Sequence, residues 1–259
     1  DQIMKMSYTQ GFTHRSNDTV INLAEKLVSI APKPLAKVFF ANSGSEANDT
    51  QVKIAIYYNN TLGRPEKKKF IARKKAYHGI TLAATSLSGV GYAQSGFDAP
   101  MPGFFHLTTP HYWREGKEGE SEEDFSTRLA QELDDLIIAE GPETVAAFIA
   151  EPMIGAGGVI TPPKGYFQKI QAVLRRHDVL MIADEVITGF GRTGNMFACE
   201  TYGIEPDLMT VAKALSGIRR GRPRDAENLR GTQHCRPRPR HDTGLPGRHE
   251  EARRSPAGR

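Results

Sequence analysis

Val145-Ala-Ala-Phe-Ile-Ala150, then Tyr166 to His177, then Val179-Leu-Met-Ile-Ala-Asp184-Glu-Val186 is the stretch that decides the fold. Two short runs, apolar at every position, flank a segment with amphipathic helical spacing. Strands covered on both faces read this way, whereas strands with one wet face alternate. A third such run, Asp207-Leu-Met-Thr-Val-Ala212, follows and ends at Lys213. Strand, helix and strand in regular succession predict an α/β architecture: a mostly parallel sheet with helices on both faces. In sheets of this kind, ligands sit beyond the carboxyl ends of the strands.

Upstream, Asn17-Asp18 reads as a helix start, and Val20, Leu23, Ala24, Leu27 and Val28 recur at helical spacing until Pro32 and Pro34 stop the helix. Val38-Phe-Phe-Ala41 reads as a short strand, and the turn Asn42-Ser-Gly-Ser-Glu-Ala-Asn48 leads into a helix from Glu46 to about Tyr58. Lys69-Phe-Ile-Ala-Arg73 reads as a strand ending near Tyr77-His-Gly79. Residues 89–120, rich in Gly, Pro and aromatics, read as a long surface loop. Glu122 to Glu140 reads as a helix with Phe125, Leu129, Leu133, Leu136 and Ile137 on one face.

The 259 residues allow one large domain with appendages. The expected division is 1–36, an N-terminal segment with one helix; 37–217, a partial ligand-binding large domain; and 218–259, a disordered tail. That tail holds twelve Arg against five acids, with no Lys and no aromatic residue. It has too little apolar surface to offset its ordering entropy. The net charge of +4 therefore comes from the tail, and the body is slightly acidic. An Arg run without aromatics or a binding fold makes nucleic acid an unlikely class of partner. Two cysteines make neither a disulfide framework nor a metal site. No signal-peptide pattern and no apolar run of the ~20 residues of a membrane span is present, so a cytoplasmic, reducing setting is expected.

Several reactive side chains fall just after strands. A lysine amine at Lys213 can form a Schiff base with an aldehyde, and burial at a strand end would free the amine. Asp184 follows four apolar residues, so burial and a cationic or hydrogen-bonding partner are expected. That partner is either a protonated ring nitrogen or the loop Thr188–Thr193, which Asp184 would cap. Gly44 and Ser45 open a helix, where N–H groups either bind a phosphate or are simply capped. Tyr77 either stacks on a planar ring or packs its loop, and His78 reads as structural. Glu151 either bonds near the ring or orients Asp184, or is a solvated loop acid. Gly189-Phe-Gly-Arg-Thr-Gly194 resembles a phosphate cradle on weak grounds. A lysine, a carboxylate and a phosphate turn together suit pyridoxal phosphate, with no metal.

Asn42-Ser-Gly-Ser-Glu-Ala-Asn48, Tyr77-His-Gly79, Ala183-Asp-Glu-Val186, Gly189-Phe-Gly-Arg-Thr-Gly194 and Thr210-Val-Ala-Lys-Ala-Leu-Ser216 together resemble class III aminotransferases, pyridoxal-phosphate enzymes of fold type I. The resemblance implies Lys213 as the Schiff-base lysine that also moves the proton, and Asp184 as partner of the ring nitrogen. It implies Val186 and Tyr77 on the two ring faces, and Gly44 and Ser45 on the phosphate. Ala156 and Ile187, with His111-Tyr-Trp113, resemble the ω-amino-acid and amine:pyruvate members, which implies an amine or ω-amino acid donor and pyruvate as acceptor. A homodimer is implied as well. The resemblance runs from about residue 8 to residue 217. An Arg-, Pro- and Gly-rich stretch then follows, of the kind a shifted reading frame produces. The alternative expectation is therefore a non-catalytic, truncated remnant of such an enzyme.

Overall fold

A computed structural model describes residues 16–217; the expected disorder of 218–259 lies outside the described residues, as do residues 1–15. The sheet is built from β1 (Lys69–Arg73), β2 (Phe104–Leu107), β3 (Val145–Ala150), β4 (Leu180–Asp184) and β5 (Leu208–Thr210). Its order is β2-β1-β3-β4-β5, and every pair is parallel. All six residues of β3 are buried, as an unbroken apolar run at the centre of a two-sided sheet requires.

Helices cover both faces. On one, α4 (Glu122–Glu140) and α5 (Tyr166–Arg176) bury Phe125, Leu133, Ile137 and Ile170 against Ile71, Phe148 and Met181. On the other, α2 (Gly44–Thr61) and α3 (Leu82–Leu87) bury Val52, Ala55 and Leu87 against Phe70, Ile149 and Ile182. Each fully buried large apolar side chain contributes about 1.5–3 kcal/mol. From β1 the chain moves outward to β2 and then crosses back to β3 on the other side of β1. That reversal opens a crevice beyond the carboxyl ends of β1 and β3.

Helix ends follow local chemistry. The helix α1 (Asp18–Ile30) is capped by Asn17, whose side chain accepts from the Val20 N–H at 2.9 Å, and it stops before Pro32. Ser121 caps α4 in the same way, and Gly141 ends it at φ 88°. Three expectations fail. Val38–Ala41 is not a strand: it lies outside the sheet, and Phe39 is 69% exposed. An apolar run becomes a strand only with a ladder partner in reach. Here a groove of about 540 Å³, lined by both segments, separates it from β5.

Residues 89–120 are not only loop. They contain β2, paired with β1 from Phe70↔Phe104 to Arg73↔Leu107, and short helices at Gly91–Gln94 and Tyr112–Glu115. As a half-buried edge strand behind Pro102-Gly103, β2 lacks the unbroken apolar signature. Pairing and the stacking of Phe104 on Phe70, 5.5 Å between ring centres, make it a strand. The third apolar run pairs only over Leu208–Thr210 rather than to Ala212.

His106 of β2 faces the Leu87 carbonyl through Nε2 at 3.2 Å, and burial pushes its imidazole below the ordinary value. A depressed folded-state value means the folded chain binds the proton less readily than the unfolded chain. Its contribution to stability is complete above about pH 6.5 and is lost as pH falls through the lower folded-state value. Urea unfolding of His106→Gln should therefore show a smaller acid-side fall in midpoint between pH 7 and 5 than the parent chain. An identical fall contradicts this assignment.

Candidate active site

Asp184 ends β4 and is 3% exposed. A carboxylate this deep is costly unless donors surround it. Three do. The Val186 N–H donates to Oδ1 at 3.0 Å, and the Asn48 side-chain amide donates to Oδ2 at 2.9 Å. His78 Nδ1 lies 2.8 Å from Oδ2. A carboxylate only accepts, so Nδ1 carries the proton and donates. His78 is itself buried, its backbone N–H bound to the Ser88 hydroxyl, while Nε2 has no partner among the described residues.

The turn into α2 approaches Asp184's loop closely. Ser43 caps the helix by accepting from the Glu46 N–H at 3.1 Å. The Gly44 and Ser45 N–H groups have no acceptor among the described residues. A Cβ on Gly44 would sit 3.0 Å from Val186 Cγ2 and 3.9 Å from the Ala212 Cβ. Glycine thus lets the helix start lie against Val186 and the residue before Lys213. On its other side, the Ser45 hydroxyl accepts from the Ile80 N–H at 3.1 Å, which leaves its own proton to donate. A Cβ on Gly79 would collide with Ser45 at 2.4 Å, so glycine is required there as well.

Glu151, just after β3, is 3% exposed and so is not a solvated loop acid. Nor does it bond Asp184. Its Oε1 accepts from the Tyr77 N–H at 3.0 Å and its Oε2 from the Gly155 N–H at 2.9 Å. Burial pushes its carboxyl up from the ordinary value. It joins the loop after β1, where half-buried Tyr77 lies, to the turn at Gly155. Its backbone carbonyl accepts from buried Arg73, whose guanidinium lies about 6 Å from the Tyr166 and Phe167 rings.

Lys213 follows β5 in a left-handed conformation, φ 45°. For a non-glycine residue this costs about 1–3 kcal/mol, a kind of strain that collects at functional positions. Lys213 is exposed, so burial does not supply the desolvation expected at this strand end. Loop capping falls to Glu185 rather than Asp184. The Glu185 carboxylate accepts from the Cys199 N–H and the Thr188 hydroxyl, and its carbonyl accepts from the Gly189 N–H. The N–H groups of Gly189, Gly191 and Gly194 bond Glu185, Met196 and Gly191, so they form no phosphate cradle.

Asn48, Gln51 and Thr210 escaped the reading of the sequence as site residues. The signal was present: Asn48 and Gln51 are one turn apart on the helix face that also carries Val52 and Ala55, where a polar side chain needs a buried partner.

The family model described as "Aminotransferase class-III" matches residues 1–222. The chain belongs to the class-III aminotransferases. Probable gamma-aminobutyrate transaminase 2, mitochondrial, of Oryza sativa subsp. indica is 59% identical over 217 residues, which is 83% of this chain and 44% of that protein. Gamma aminobutyrate transaminase 3, chloroplastic, of Solanum lycopersicum is 57% identical over 216 residues, 42% of its length. The omega transaminase from Pseudomonas jessenii, solved in complex with PMP, matches with TM-score 0.82 and 57% identity over 83% of this chain and 48% of its own. The chain thus spans less than half the length of these relatives. Class-III aminotransferases use pyridoxal phosphate, and in this chain the Gly44 and Ser45 N–H groups at a helix start lie near a buried, donor-ringed carboxylate.

Asp184→Asn places an amide NH2 against either Val186 N–H or the Asn48 and His78 donors. Leaving a buried donor unpaired costs about 1–3 kcal/mol. Urea unfolding without any added ligand should show that loss, and an unchanged midpoint would show that the carboxylate does not organise its surroundings.

Proposed function

We propose that this aminotransferase moves an amino group from an amine or ω-amino acid to pyruvate, using pyridoxal phosphate attached to Lys213. The observation that carries the reading is the convergence of Asp184, Val186, Gly44 and Ala212–Lys213 at the carboxyl edge of the sheet. The residues fit the cofactor. Gly44 and Ser45 offer two N–H groups and a hydroxyl proton at a helix start, which suits a dianionic phosphate. Asp184 offers a buried carboxylate to a ring nitrogen. Val186, against Gly44, supplies an apolar ring face, and Tyr77 the other. Glu151 holds the Tyr77 backbone in place.

Pyridoxal phosphate, when bound, supplies an aldehyde that captures amines and a ring that accepts electrons. The work of the chain is to hold and to move protons. The Asp184 carboxylate would accept from the ring nitrogen and favour its protonated form. The Lys213 amine would hold the cofactor through its aldehyde and would carry the proton from the donor carbon.

The donor assignment rests on apolar residues where related subgroups carry polar ones. Ile187 packs against the Gly155 turn, where a Cβ would lie 2.5 Å from Ile187 Cδ1, and Ala156 follows. The names of the relatives, gamma-aminobutyrate and omega transaminases, fit an ω-amino acid or amine donor. A homodimer belongs to the same reading. Ile80 and Leu82, beside Ser45, are 75% and 63% exposed, and such apolar surface favours a partner. Cytoplasmic placement belongs to the same reading.

A second reading, in which this chain does not turn over by itself, is favoured by the groove between Val38–Ala41 and the open edge of β5, where Phe39 and Phe40 are exposed. Visible absorbance and amine turnover separate the two. Adding pyridoxal phosphate should give a visible band and pyruvate-dependent turnover, both absent in Lys213→Ala. A colourless wild-type chain favours the second reading, and full activity in Lys213→Ala contradicts the first.

A further inference from the structure

One buried chain of hydrogen bonds leads to Asp184 from a side the proposed chemistry does not use. The Asn48 amide nitrogen lies 2.7 Å from the His78 carbonyl and 2.9 Å from Asp184 Oδ2. Both are acceptors, so a flipped amide would set oxygen against oxygen twice, and the orientation of Asn48 is forced. Its Oδ1 then faces Thr210 Oγ1 at 2.7 Å, so the Thr210 hydroxyl must donate. Having given its proton, that hydroxyl oxygen can only accept, and Gln51 Nε2 must be its donor. Along the chain Gln51, Thr210 and Asn48 each donate one proton in the direction of Asp184, and the second Asn48 proton goes to the His78 carbonyl. All four side chains are at least nine-tenths buried. Chains aligned in one direction polarise one another and strengthen the last donor.

The same accounting picks out one atom of Asp184. Oδ2 receives two donors, from Asn48 and His78, which fills its two lone pairs. Among the described residues, Oδ1 receives one, from the Val186 N–H. The remaining acceptor position is on Oδ1.

We propose that Asn48 and Thr210 are positioning residues: they lock the rotation of the Asp184 carboxylate so that the open lone pair of Oδ1 is the one offered to the ring nitrogen. This rests on the reading of pyridoxal phosphate at the site and adds which oxygen is used and what orients it. Thr210 is suited to the task because it is the β5 residue paired with Asp184 across the sheet, and Lys213 follows three residues later. The relay thus ties the carboxylate to the strand that presents the lysine.

Thr210→Val removes the hydroxyl at nearly constant shape, and Thr210→Ser keeps it. In the full chain, pyridoxal phosphate affinity and visible circular dichroism per bound cofactor are measured, with urea unfolding alongside. Thr210→Val should weaken binding about fivefold, the equivalent of one hydrogen bond, and reduce the visible ellipticity of the bound ring. Thr210→Ser should restore most of both. Gln51→Met, which removes only the outermost donor, should shift both in the same direction by about twofold, and it stands in should the valine variant fail to fold. A relay that serves stability alone would lower the unfolding midpoint and leave affinity and ellipticity at wild-type values; that result overturns the proposal. A wild-type chain without a visible band overturns the cofactor reading itself, and the inference with it.

Discussion

Burying a carboxylate costs several kcal/mol unless donors replace water, and Asp184 is 3% exposed. Its three donors come from α2, from the loop after β1 and from its own turn. No local segment satisfies it. The register of β4 against β3 and β5, and the seat of α2 on the sheet, must all be right before the charge is compensated. Glycine at 44 and 79 is part of the same constraint, since a side chain at either position would push the helix start away from Val186 or Ser45. The polar centre therefore selects one arrangement of an otherwise apolar α/β core, and that arrangement sets the helix start at Gly44 and Ser45 beside it.

Elements buried on both faces were legible because their signature is continuous. The boundaries of β1, β3 and α4 agree with the apolar pattern to the residue. Legibility fell where a partner outside the local sequence decides. Val38–Ala41 is as apolar as β4, but it has no ladder neighbour among the described residues. Conversely, β2 is a strand because β1 lies beside it, although Pro102 and Gly103 precede it.

The site divides along the same line. Gly44 lies against Val186, and the Val186 N–H bonds Asp184. The Glu151 carboxylate bonds the backbone N–H groups of Tyr77 and Gly155 rather than Asp184, partners that no side-chain pattern reveals. The loop behind Asp184 is capped by Glu185, one residue later, because the end of the strand turns Asp184 inward toward Asn48. Asn48, Gln51 and Thr210 show a third case. Their types are ordinary, and only the distance between α2 and β5 makes a directed relay of them.

The central claim is that the Asp184 carboxylate holds a protonated ring nitrogen. The most direct measurement is the ¹⁵N chemical shift of ring-labelled pyridoxal phosphate bound to the chain, at a pH where the free cofactor's ring nitrogen is unprotonated. A protonated pyridinium shift in the wild-type chain, lost in Asp184→Asn, is the predicted result. A neutral-pyridine shift in the wild-type complex would contradict it.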